Sequence, residues 1–61
     1  MQAIIAAVLP VLVRLLKKDP ALADYAEEAW NALTARDPPL EDQQEQMDAA
    51  LETARKALQA P

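Results

Sequence analysis

The chain has no cysteine, no histidine, no glycine, no serine and no phenylalanine. Without cysteine there is no disulfide, no thiolate ligand and no thiol nucleophile. Without histidine the commonest metal ligand and general base is missing. With serine gone as well, the usual nucleophile–base systems cannot be assembled. The lack of glycine removes glycine-based tight turns, phosphate-cradling loops and flexible linkers. These absences point to a non-enzymatic protein, with no cofactor, no metal and no small-molecule substrate. They also leave the redox compartment unmarked.

Aromatic residues are nearly absent too, at 3%, namely Tyr25 and Trp30. Positive charge is scarce overall, with six Lys and Arg against ten Asp and Glu, a net charge of −4. That balance argues against nucleic acid, whose binders present a basic face. The signs are unevenly spread. Residues 1–18 carry Arg14, Lys17 and Lys18 and no acid, whereas the remainder is acidic. A basic apolar end and an acidic body can attract each other, within one chain or between chains.

With 61 residues, a single domain buries only about 60% of its unfolded surface and is marginal alone. Chains of this size gain stability from disulfides, a metal or oligomerisation. The first two have no residues to build them, so oligomerisation is the staple that remains.

What is present is mostly helix-forming: Ala, Leu, Glu, Gln and Arg, punctuated by proline. Lys17 and Lys18 suit a helix C-terminus, Asp19 an N-cap and Pro20 a first helical position. Arg36-Asp37-Pro38-Pro39 breaks the chain again. The pattern predicts one all-α domain over 1–61, with helix 1 at about 2–18, helix 2 at about 20–35 and helix 3 at about 40–60. Short connections imply an up-down-up three-helix bundle. Helix 2 offers Leu22, Ala26, Ala29, Trp30 and Leu33 on one side, with Tyr25 at its edge. Helix 3 offers Met47, Leu51, Ala54 and Leu58. Both faces are padded with alanine and supply little apolar area.

Helix 1 differs. At about 100° per residue its large apolar side chains sweep an arc of roughly 200°, against a usual stripe of about 100°. One neighbour cannot cover that arc. Pro10 removes a backbone hydrogen bond and is expected to kink or split the helix. The apolar run does not fit a secretory signal, because its charges follow the run instead of preceding it. As a membrane span it is short: residues 1–16 reach about 24 Å against roughly 30 Å of hydrocarbon. The favoured reading is a helix that packs on its own chain and on copies of itself. The subunit contact is assigned to Ile4, Ile5, Val8, Leu9, Leu12, Val13, Leu16 and Trp30. Trp30 serves either as an interface anchor or as bulk for an alanine-rich face.

Glu41, Glu45, Asp48 and Glu52 make an acidic stripe on helix 3. Hard-cation sites draw ligands from loops or several elements, so the stripe reads as a solvated face. Gln43, Gln44 and Gln46 mark a polar layer or nothing at all.

The stretch "PPLEDQQEQMDAALETARKALQA", residues 38–60, resembles the tail of small helical proteins encoded by phages and prophages. An apolar N-terminal helix ahead of such a tail is similar to small phage membrane or lysis-region proteins. The resemblance implies no catalytic residues. It fits a cytoplasmic or virion-associated homo-oligomer. The alternative is a membrane-active protein whose first helix enters or lies on the bilayer.

Overall fold

Three α-helices and one short turn of 3-10 helix follow each other: α1 (Gln2–Lys18), the 3-10 turn (Pro20–Leu22), α2 (Ala23–Thr34) and α3 (Glu41–Gln59). They are seen in a computed structural model that describes residues 2–59. Met1, Pro61 and Ala60, the last expected residue of helix 3, lie outside the described residues. No strand occurs among the described residues, and the three helices pack together as an all-α fold. The body is elongated, measuring 39 × 18 × 16 Å.

Each helix contributes one face to a single core. From α1 come Ile5, Leu9, Leu12 and Leu16, at spacings of four, three and four. From α2 come Ala23, Ala26 and Trp30, and from α3 come Met47, Leu51 and Ala54. The 3.6-residue period of each segment puts these sets on one side of its helix. Trp30, Ile5 and Met47 are the largest fully buried side chains. No polar or charged residue is buried among the described residues. The alanines let the helices approach closely, and Trp30 fills the volume that they leave.

Helix ends follow from local chemistry. Lys17 and Lys18 occupy the last turn of α1, where the helix dipole favours cations. The Asp19 N–H still bonds the Leu15 carbonyl at 2.8 Å, but Asp19 itself is extended, with φ −141° and ψ 90°, because the residue before proline is pushed out of the helical region. Its side chain then accepts from the Ala21 N–H at 3.2 Å, a cap of the kind that contributes about 0.5–2 kcal/mol. The helix expected from Pro20 begins instead as a 3-10 turn, since the Leu22 N–H reaches the Asp19 carbonyl at 3.0 Å. Tightening to an i, i+3 bond is a common way to start a helix.

α2 closes with Thr34, whose hydroxyl donates to the Trp30 carbonyl at 2.8 Å. α3 opens with half of a capping box. The Leu40 N–H donates to Gln43 Oε1 at 2.9 Å, and the Leu40 carbonyl accepts the first helical bond, from Gln44 N–H at 3.0 Å. Gln43 therefore works as a cap.

α1 runs unbroken through Pro10. The proline is exposed and on the side of the helix away from the core stripe. The carbonyl that its missing N–H leaves open is that of Ala6, also exposed, where water can satisfy it.

Candidate functional site

The broad apolar arc of α1 divides into two parallel stripes. Ile5, Leu9, Leu12 and Leu16 point into the chain's own core. Ile4, Val8, Val11 and Leu15 repeat the same four-three-four spacing one residue earlier, about 100° round the helix. This second stripe is largely uncovered: Ile4 is 49% exposed, Val11 50% and Leu15 42%, with Val8 half-buried against the core.

Its place in the bundle follows from the neighbouring seams. Val13, Leu16 and Lys17 border a groove with Ala50, Thr53 and Ala57 of α3, so that flank of α1 faces α3. The opposite flank, with the open stripe, faces the α2 side. On α2, Asp24 and Glu27 reach α3 through Arg55, which leaves Tyr25, Ala29 and Leu33, with Leu22 of the preceding 3-10 turn, on the flank towards α1. Tyr25 is 72% exposed and Ala29 is exposed, with Leu22 and Leu33 half-buried. The two flanks adjoin and form one apolar face along the α1/α2 seam.

Charged edges border this face. Beyond the α1 stripe lie Arg14 and Lys18, and beyond Tyr25 on α2 lies Glu28. All three are exposed and make no ion pair among the described residues.

The α2/α3 seam is closed differently. Arg55 grips Glu27 with both terminal nitrogens, at 3.0 and 3.3 Å, and touches Asp24 at 3.5 Å. The hydrogen bond to Glu27, together with that carboxylate's charge, raises the Arg55 pKa above the usual arginine value. Nearby, Trp30 Nε1 donates to Gln44 Oε1 at 3.0 Å, and Gln44 Nε2 donates to Asp48 Oδ1 at 2.9 Å. Gln44 is thus a two-sided bridge, which satisfies the indole N–H at the rim of the core.

Of the residues assigned to a subunit contact, Ile5, Leu9, Leu12, Leu16 and Trp30 lie in the core of the single chain. Their apolar area is already used by packing within the single chain. Val8 and Val13 are half-buried against that core, and Ile4 is open. Val11, Leu15 and Tyr25 belong to the uncovered face and were not in that set. The signal for Val11 and Leu15 was the doubled four-three-four spacing within one arc. On α3, Glu52 pairs with Lys56 at 3.0 Å and Asp48 is held by Gln44. No group of three or more metal-capable side chains forms among the described residues. No helix among them is long and apolar enough to cross a membrane.

The candidate site is therefore an uncovered apolar face, bordered by charges that make no ion pair among the described residues. No protein-family model, no curated protein sequence and no solved structure matches this chain.

Proposed function

We propose that the protein is a non-enzymatic, self-associating helical module that assembles with further copies of itself through the α1/α2 face. The observation that carries this reading is the open stripe of Ile4, Val11 and Leu15, continued across the seam by Tyr25. Scattered apolar residues on a surface are ordinary, but a contiguous patch rimmed by charge marks an interaction site. Covering each of these half-exposed side chains would gain on the order of 1 kcal/mol. A chain of this size has few other ways to add stability.

Sedimentation equilibrium of the intact chain tests the reading. In plain buffer the mass should rise with concentration to a discrete oligomer. Val11→Glu should shift it to the monomer with helix content intact, because Val11 lies outside the core and the new charge would be buried only in the assembly. A wild-type chain that stays monomeric at every concentration would sink the proposal. So would a monomer that co-floats with anionic vesicles, which would give the same face to a membrane surface.

A further inference from the structure

We infer that two copies of the chain pair across the α1/α2 face about a twofold axis parallel to the helices, so that α1 of each copy lies over α2 of the other and Arg14 meets Glu28 between chains. This rests on the self-association reading above and specifies its geometry.

The two edges of the face carry opposite charge. The α1 edge is basic, with Arg14 and Lys18, and α1 has no acid in its sequence. The α2 edge is acidic, with Glu28 beyond Tyr25. The Asp19–Pro20 turn joins the two helices, so the basic last turns of α1 and the first turns of α2 sit at the same end of the molecule. Arg14 and Glu28 lie on opposite edges of one face, make no pair among the described residues, and share that end.

Two twofold axes would keep the helices of facing copies aligned. An axis parallel to the helices sets α1 over the partner copy's α2 and keeps the turn ends together. Arg14 then faces Glu28 of the partner copy, and symmetry repeats the pair. An axis across the helices sets α1 over the partner copy's α1, head to tail. Arg14 then faces the first turns of that helix, where Ala3 and Ala7 stand and no acid is available. Charge complementarity selects the first arrangement, since opposed signs fix the register of an apolar contact.

The other lateral faces fit less well. On the α2/α3 side, Arg55 already pairs with Glu27 and touches Asp24. The α1/α3 groove carries Lys17 and alanines but no large exposed apolar side chain. Size is adequate: a standard interface takes roughly 800 Å² from each partner, less than a third of the 4412 Å² surface of this three-sided bundle.

The test is a charge-reversal cycle on the full chain: wild type, Arg14→Glu, Glu28→Arg and the double variant, each titrated by sedimentation. Both positions are exposed, and circular dichroism checks that helix content is kept. Each single reversal should weaken dimerisation on the order of tenfold, since it opposes like charges twice. The double variant should recover wild-type affinity, and added salt should weaken the wild-type dimer. A wild-type dimer indifferent to the single reversals, or a double variant that is not restored, overturns this geometry while self-association stands. A wild type that remains monomeric overturns both.

Discussion

Trp30 and Tyr25 are five residues apart on the same segment and have opposite fates. Trp30 is 1% exposed and bonded to Gln44, whereas Tyr25 stands in the open. Stability and association should therefore separate at these two positions. Trp30→Phe removes the indole N–H and some volume, and should cost about 1–2 kcal/mol. Trp30→Ala should cost about 3–5 kcal/mol. Domains hold about 0.05–0.15 kcal/mol per residue, so that loss is comparable to the whole stability of 61 residues. Tyr25→Ala should leave the unfolding free energy of the monomer within about 0.5 kcal/mol but weaken self-association. Urea titrations at a concentration that keeps the chain monomeric provide the comparison. Equal losses for Tyr25→Ala and Trp30→Phe would contradict the division of roles. Composition marks both aromatics as conspicuous but does not say which one is inside. That depends on Gln44 arriving from α3 to accept the indole N–H, a contact between residues 14 apart in sequence.

At the scale of the elements, the helices were largely readable. Proline placement, the Lys17-Lys18 ending and the four-three spacing of Met47, Leu51 and Ala54 locate three helical segments, and all three appear. Less readable was how the arc of α1 would be shared. Periodicity shows that Ile4 through Leu16 is broad, but not where two neighbours stop covering it. Val8, Val13, Leu33 and Ala50 are packed against the core but covered only in part, and the open stripe is what remains. The jobs of Gln43 and Gln44 were also hidden, because both depend on the exact start of α3. Pro10 is the one proline inside α1 and lacks the backbone N–H that its neighbours donate. α1 passes through it without a break, so the proline is carried as a local penalty. Proline is about 3 kcal/mol worse than alanine in a helix interior. Pro10→Ala should therefore raise the thermal midpoint, with a gain of up to about 3 kcal/mol. A lowered midpoint would show that the ring makes a contact that the fold needs.

The whole molecule is a slender bundle whose charge is divided by element: basic at the end of α1, acidic along much of α2 and α3. If copies assemble through the α1/α2 face, folding and association are linked, and the thermal midpoint must rise with protein concentration. Scanning calorimetry over a wide concentration range should show that rise for the wild type. It should be absent for Val11→Glu. A concentration-independent midpoint for the wild type would mean that the lone bundle accounts for all of the stability.

Because the single indole is enclosed in a core built by all three helices, its fluorescence is an intrinsic clock for closure of the bundle. Emission from Trp30 should be that of a dry interior only once α3 has docked, and should shift towards that of water as soon as any one helix leaves. The turns are short and the secondary structure is all local, a topology that folds in roughly microseconds to milliseconds. The event that this residue times is therefore too brief for hand mixing and belongs to laser temperature-jump relaxation, with no dye or label attached.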